Sequence, residues 1–185
     1  MFELTMLAKS LEILKQIAPT IVRVAIIYSA DNTNIAIFRR SFEAASGPLG
    51  IEPVDAPIHE LADIDRAVAS LADTVNSGLF FIPDITTLGL RRAVVDLVAR
   101  HRLPAIYSDS SFVKIGGLAF YGADRTDIFR RSAGYVDRIL RGEKAGELPF
   151  QQPTKYELMI NLKTAKALGL TVPPSLLTSA DLVIE

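Results

Sequence analysis

Polar and aromatic side chains follow four of the predicted strands of this chain, at the points where the strands end. In an open parallel sheet, ligands bind in the crevice outside the carboxyl ends of the strands. Hydroxyls, amides and carboxylates beside aromatic rings suit a small polar or zwitterionic molecule with an apolar part. The candidate ligand-binding residues are therefore Ser29, Asp31, Asn32 and Asn34 after the first strand, Asp84, Thr86 and Thr87 after the third, Ser108, Asp109 and Phe112 after the fourth, and Tyr121 at the end of the fifth.

The same residue types also cap helices, so each candidate has a structural alternative. Asp84 and Asp124 each precede a predicted helix, and we interpret both as N-caps. His59 is interpreted as a solvated loop residue, with a position in the cleft as the alternative. Arg125 stands in the first turn of a predicted helix, where a cation opposes the helix dipole. We interpret it as a local salt-bridge partner, the alternative being an anionic group in the cleft.

The sequence lacks the residue patterns of the common catalytic and cofactor sites. It has no Cys, and its only histidines are His59 and His101, which argues against thiol nucleophiles and His-rich metal sites. Neither a Gly-rich dinucleotide or phosphate loop nor a G-x-S-x-G elbow is present. The acidic pair and the lysine of a receiver domain are also missing. We therefore predict a binding protein without catalytic residues, metal or cofactor.

Strands and amphipathic helices alternate along the first four-fifths of the chain. The predicted strands cover residues 21–28, 51–54, 78–82, 105–107 and 118–121. The helices between them carry apolar stripes at helical spacing, such as Leu7, Leu11 and Leu14 in the first. Other residues expected to face inward are Phe38, Phe42 and Ala45, then Ile64, Val68, Leu71 and Val75, with Asp63 as N-cap, then Leu90, Val94 and Leu97 or Val98, and finally Ile128, Tyr135, Val136 and Ile139. This alternation predicts a doubly wound α/β fold with a parallel five-stranded sheet.

The pattern changes after residue 142, where a polar linker rich in Gly and Pro begins. A strand near residues 156–160 and a short helix over residues 162–168 follow, the helix ending before Gly169. The tail has too little apolar sequence for a domain of its own, so we expect it to pack against another part of a protein.

The charge balance argues against nucleic acid as a partner, and the hydropathy argues against a membrane-spanning segment. Lys and Arg number 20 against 21 Asp and Glu, a net charge of −1 without basic runs, so nucleic acid is not an expected partner. No stretch approaches the roughly 20 apolar residues that span a bilayer. Residues 1–10 carry no recognisable export signal, and we predict a soluble chain.

Several blocks of the chain resemble a large family of ABC-transporter substrate-binding proteins, which includes tryptophan- and tyrosine-type receptors. The first block is LEILKQIAP at residues 11–19 followed by VRVA at residues 22–25. Further blocks are RHRLPAIY at residues 100–107, GYVDRIL at 134–140, QPTKYEL at 152–158, INLKTAKALGL at 160–170 and PPSLL at 173–177. Where the family often has Asn-Pro after the first strand, this chain has Ala30, Asp31 and Asn32.

The resemblance implies a periplasmic-binding-protein-like lobe and a role in solute import. Residues 1–19 would be a leading helix from the lobe junction, residues 20–148 the second lobe, and residues 149–185 a segment that completes a first lobe. Full members carry an export signal and that first lobe upstream, and they are periplasmic or membrane-anchored lipoproteins. They deliver a solute to an ABC permease, and by family analogy the solute expected here is an amino acid. The alternative is the effector-sensing lobe of a repressor-like regulator, which shares the fold.

Two expectations follow if the chain is a single lobe. One wall alone should bind a solute weakly or not at all, because it cannot remove the ligand from water on all sides. The chain should also form a homodimer, in which the tail and the leading helix bury apolar surface intended for the other lobe.

Overall fold

A computed structural model describes residues 4–185, with side chains from residue 5 onward. Residues 1–3 and the side chain of Leu4, which belong to the predicted leading segment, lie outside this description. Seven strands form one sheet in the order β2-β1-β3-β4-β5-β6-β7. The strands are β1 (Arg23–Ser29), β2 (Glu52–Ile58), β3 (Ser77–Phe81), β4 (Ala105–Tyr107), β5 (Ala119–Ala123), β6 (Tyr156–Asn161) and β7 (Leu182–Ile184). Strands β1 to β5 pair in parallel, which confirms the predicted five-stranded parallel sheet.

Helices cover both faces of this sheet, as a doubly wound fold requires. They are α1 (Leu4–Ile17), α2 (Ile35–Ser46), α3 (Leu61–Ala72), α4 (Ile85–Gly89), α5 (Arg91–Arg100), α6 (Ser110–Lys114), α7 (Arg125–Leu140), α8 (Leu162–Ala167) and α9 (Pro174–Ser179). Alternate residues of β1 point to opposite faces. Val24 and Ile26 pack in a cluster with Leu7 and Leu11 of α1, whereas Ala25 packs with residues of α3 and α5 on the other face.

Three details of the parallel region differ from the sequence prediction. Strand β2 extends to Ile58 although it contains Pro57. Proline has no backbone N–H to donate, and an edge strand tolerates it because one side of that strand is not paired. The cap of α3 is Glu60, and Asp63 is the third helical residue of a capping box. Val75 continues the apolar spacing of α3 in the sequence, but the helix ends at Ala72, so Val75 lies outside it and is exposed.

The C-terminal tail of this chain extends the same sheet. Strand β6 pairs antiparallel with β5, and β7 pairs parallel with β6. Leu158 and Ile160 of β6 and Leu176 of α9 are buried in the same cluster as α1. The predicted C-terminal strand and helix extension is therefore confirmed, and Leu158, Ile160 and Leu176 of the tail are covered by this chain.

Helix α7 exposes the apolar face that was predicted to point inward. Val136 is 55% exposed and Ile139 is 42% exposed, and Phe129 and Leu140 also lie open to solvent. Asp127 is the only buried residue of α7. The prediction for Val136 and Ile139 was wrong because helical spacing identifies an apolar face but not the surface that covers it. Within residues 4–185, no helix combines the length and the hydropathy needed to cross a bilayer.

Candidate functional site

A cleft lies at the carboxyl ends of the parallel strands. Strands β2 and β3 lie on either side of β1, so the strand order reverses between β1 and β3. This switch point is where open α/β sheets bind ligands. The cleft has a volume of about 470 Å³ and is bordered by the ends of β3, β4 and β5, by α1 and by the first turns of α4 and α7. Its lining residues are Met6, Pro83, Asp84, Ile85, Leu88, Ser108, Asp109, Phe120, Ala123, Arg125, Ile128 and Phe129.

Asp84 is held at the cleft by three backbone N–H groups. Its Oδ1 accepts hydrogen bonds from the N–H groups of Thr86 at 2.8 Å and Thr87 at 3.2 Å, which caps α4 as the sequence predicted. Its Oδ2 accepts from the backbone N–H of Ser29 at 3.1 Å. Because its oxygens already have these donors, Asp84 mainly joins the ends of β1 and β3.

Asp109 and Arg125 form an ion pair inside the cleft. The Arg125 Nη1 lies 2.6 Å from Asp109 Oδ2, so its partner is a carboxylate of the cleft lining 16 residues away rather than a neighbour on its own helix. Asp109 Oδ1 accepts from both the N–H and the hydroxyl of Ser111, at 2.9 and 2.5 Å. Burial raises the pKa of Asp109, but the Ser111 hydrogen bonds and the Arg125 charge outweigh it and leave that pKa below its ordinary value. The carboxylate is thus ionised at neutral pH.

Ser108 presents a hydroxyl to the same cleft. Its backbone N–H donates to the carbonyl of Phe81 at 3.1 Å and so extends the β3–β4 pairing by one residue. In the described part of the chain, no side chain or backbone group bonds the Ser108 hydroxyl. Of the candidates from the sequence, Asp84, Ser108 and Asp109 are the three that line the cleft.

The candidates after β1 lie at the predicted end of that strand but outside the cleft lining. Ser29 is buried, and its Oγ accepts from the N–H of Asp31 at 3.3 Å. Asn32 Oδ1 accepts from the N–H of Asn34 at 3.0 Å, which closes a local turn before α2. Asn34 is the N-cap position of α2, without a side-chain cap bond. The structure thus gives these four residues roles in the turn.

The remaining candidates have packing or backbone roles. Thr87 is 1% exposed, and its hydroxyl donates to the carbonyl of Asp84 at 3.1 Å. Phe112 is buried and stacks on Tyr107 with ring centres 4.6 Å apart, so it belongs to the core. Tyr121 stacks on Tyr156 at 6.0 Å and faces a separate groove of about 310 Å³ beside α1 and α9. His59 does not line the cleft; its backbone N–H donates to Asp63 Oδ2 at 2.7 Å.

The sequence reasoning missed the apolar half of the cleft. Phe120 was assigned to the buried strand, and Ile128 was assigned to the core face of α7. Arg125 and Phe129 are four residues apart, so they lie on one face of a helix. That spacing directly after a strand end was a usable signal for a mixed polar and apolar wall.

Comparison with known proteins defines the family. Residues 3–184 match the family described as ABC transporter substrate binding protein. The chain belongs to this family. A curated relative, the tyrosine-binding protein of Clostridioides difficile, is 24% identical over 163 residues, which cover 88% of this chain and 47% of the relative. The chain thus spans about half the length of the curated relative that it matches.

Solved structures show the same fold over nearly the whole chain. A Streptococcus pneumoniae ABC domain in complex with L-Trp superposes with a TM-score of 0.86 at 23% identity, covering 97% of this chain and 60% of that one. A Vibrio cholerae conserved domain protein gives a TM-score of 0.85 at 24% identity, covering 96% and 60%. A LacI-family regulator from Bifidobacterium animalis reaches 0.58 at 14% identity over 82% and 59%, so the fold alone is shared with regulators. The family match favours the transporter class over the repressor alternative.

Proposed function

We propose that this chain is one lobe of a solute-binding protein that delivers a small molecule to an ABC permease. The cleft at the carboxyl ends of β3, β4 and β5 is the observation that carries this proposal. It lies beside the topological switch point, the usual ligand position in open α/β sheets. The groups identified in it bind and orient, and none forms a nucleophile and base pair, so we propose binding without catalysis.

The lining of the cleft supports an amphipathic solute. Ser108, Asp109 and Arg125 contribute polar groups to the cleft lining, whereas Phe120 and Phe129 contribute aromatic surface. A pocket with a few polar groups among apolar side chains fixes the orientation of a ligand while burying its apolar part. We propose an amino acid with a large apolar side chain as the solute. Two similar proteins, the tyrosine-binding protein and the ABC domain in complex with L-Trp, support the same class of solute.

The exposed face of α7 supports a second lobe in the longer protein. Phe129 lines the cleft and is exposed, and Val136 and Ile139 are further exposed apolar residues along the helix. The family relatives extend well beyond the length that this chain covers. We propose that α7, rather than the C-terminal tail, packs against the remainder of such a protein, and that closing the two lobes buries the solute. By itself this chain would use the same face to form a homodimer.

This chain forms only one side of the proposed two-lobed cleft, so we expect it to bind its solute weakly. Water reaches the open side of the cleft, so the apolar part of the ligand is only partly desolvated. We expect a dissociation constant of about 1 mM or weaker. The family membership supports a periplasmic or lipid-anchored location for the whole protein, with a permease as its macromolecular partner.

NMR titration of the isotope-labelled chain tests this function, because it detects millimolar affinities. L-Tryptophan, L-tyrosine and L-leucine are added in turn, with D-glucose as a control probe. We expect backbone amide shifts that saturate with an amino acid and cluster at Ser108, Asp109 and Arg125. Shifts that cluster elsewhere, or no saturable shift with any of the amino acids at millimolar concentrations, would contradict the proposal.

A further inference from the structure

Arg125 has unused hydrogen-bonding capacity inside the cleft. Its side chain is 62% exposed, and its Nη1 donates to Asp109. A guanidinium group carries several N–H donors in a planar fork that matches a carboxylate. In the described structure no other acceptor engages the Nε or Nη2 of Arg125. These donors are therefore available to a ligand.

The Arg125 guanidinium is anchored through one of its nitrogens. Asp109 holds Nη1, and Asp109 is itself held by the N–H and the hydroxyl of Ser111. The low pKa of Asp109 keeps this anchor charged at neutral pH. A guanidinium that is anchored on one nitrogen loses less conformational freedom when a ligand binds to the others.

The surroundings of Arg125 define what else the ligand must carry. Ile128 and Phe129 follow it on the same helix and line the same cleft, with Phe120 of β5 also in the lining. Among the lining residues of the described structure, Arg125 is the only cation. An anion bound there would also lie at the N-terminal end of the 16-residue helix α7, where the helix dipole favours negative charge.

We propose that Arg125 binds the carboxylate of the solute while Ile128, Phe129 and Phe120 contact its apolar side chain, with Asp109 as the residue that positions the guanidinium. This inference rests on the proposed function and deepens it. The required ligand feature is a free carboxylate next to a large apolar group. An amine with the same ring but without the carboxylate lacks the group that Arg125 binds.

Paired probes test the carboxylate requirement directly. L-Tryptophan, tryptamine and L-tryptophanamide share the indole ring, but only the first has a free carboxylate. The chain is titrated with each probe and followed by amide shifts, with the unmodified chain measured first. We expect L-tryptophan to bind at least about tenfold more tightly than either of the others.

Two variants connect that preference to Arg125. Arg125→Gln removes the charge, and Arg130→Gln is a matched control on the same helix, with an arginine that is 67% exposed and lies 3.8 Å from Asp127 outside the cleft lining. We expect Arg125→Gln to lose the preference for L-tryptophan over tryptamine and Arg130→Gln to keep it. An Asp109→Asn variant should reduce the preference partially, because the guanidinium remains but loses its charged anchor. Unchanged amide spectra away from the cleft verify that each variant is folded.

The possible results separate this inference from the proposed function. Saturable L-tryptophan binding with the same probe preference in Arg125→Gln as in the unmodified chain would refute the role of Arg125 and leave the function standing. Equal affinity of the unmodified chain for L-tryptophan and tryptamine would also refute it. Absence of saturable binding by every amino acid would overturn the proposed function, and with it the inference.

Discussion

The carboxylate of Asp84 accepts a hydrogen bond from the backbone N–H of Ser29 at 3.1 Å, which joins the end of β3 to the end of β1. The same side chain caps α4 through Thr86 and Thr87. One residue thus satisfies donors from two elements at the edge of the cleft. Because the N–H of Ser29 belongs to a buried residue, losing its acceptor carries a desolvation cost as well as the loss of a cap.

Replacing Asp84 should therefore destabilise the fold measurably. We expect Asp84→Ala to lower the free energy of unfolding by about 1–3 kcal/mol, from the lost cap and the unsatisfied Ser29 N–H. Asp84→Asn should cost less, because an amide oxygen still accepts. Urea unfolding followed by circular dichroism measures both. Asp73→Ala, an exposed acidic residue at the end of α3, is the control and should leave stability nearly unchanged.

The Asp109 ion pair predicts a pH dependence with a definite sign. The folded pKa of Asp109 lies below its ordinary value, so its ionised form stabilises the folded state. This contribution is fully present above the unfolded pKa, about 3.9, and is lost as pH falls through the folded value. Asp109→Asn should show a lower free energy of unfolding than the unmodified chain at neutral pH, and the difference should shrink on acidification.

Unfolding free energies from urea titrations at neutral pH and at a series of acidic pH values check this prediction. Asp73→Asn provides the control for removing an exposed carboxylate. A difference between Asp109→Asn and the unmodified chain that stays constant down to the lowest pH would show that ionisation of Asp109 does not stabilise the fold.

Two glycines should respond in opposite directions to the same substitution. A Cβ at Gly117 would lie 2.7 Å from Tyr107 Cε2 and 2.9 Å from the carbonyl oxygen of Phe112, so backbone would have to move. We expect Gly117→Ala to destabilise by about 1–3 kcal/mol. Gly134 lies within α7 with nothing within 4 Å of such a Cβ, and Gly134→Ala should stabilise by about 0.5–1 kcal/mol through better helix propensity. Thermal unfolding of the two variants decides the order.

The exposed face of α7 predicts self-association of this chain. We expect the proposed homodimer to dissociate on dilution, and Val136→Glu to be monomeric at concentrations where the unmodified chain is not, since the charge would be buried in the contact. Sedimentation equilibrium measures the dissociation constant. Val75→Glu, at an 81% exposed apolar residue after α3, should associate normally. A monomeric unmodified chain at every concentration would contradict the prediction.

Local patterns account for the parts of the fold that sequence reasoning predicted. The β-branched run around Val24 and Ile26 indicated a strand that is buried on both faces, and it is one. Helical spacing of Leu7, Leu11 and Leu14 identified the buried stripe of α1. Cap residues such as Asp84 and Asp124 were recognisable because their oxygens bond N–H groups two or three residues away.

The site was only partly predictable, because its residues come from separate elements. The rule for strand ends found Asp84, Ser108 and Asp109, which do line the cleft, but it also selected Phe112, whose ring turns into the core. Whether a side chain at a strand end faces the cleft or the interior depends on its rotamer and on the neighbouring helix. Neither is visible in residue type or spacing.

The sequence by itself determined the alternating α/β architecture, the parallel sheet and the caps of α4 and α7, since these depend on periodicity and on contacts within a few residues. Only the tertiary structure decided that β6 pairs with β5, that Val136 and Ile139 lie exposed, and that Arg125 meets Asp109 in the cleft. Those relationships join residues that are distant in the chain or depend on what covers a surface. Apolar spacing states that a face should be buried, whereas the partner that buries it is set by the packing of the whole protein.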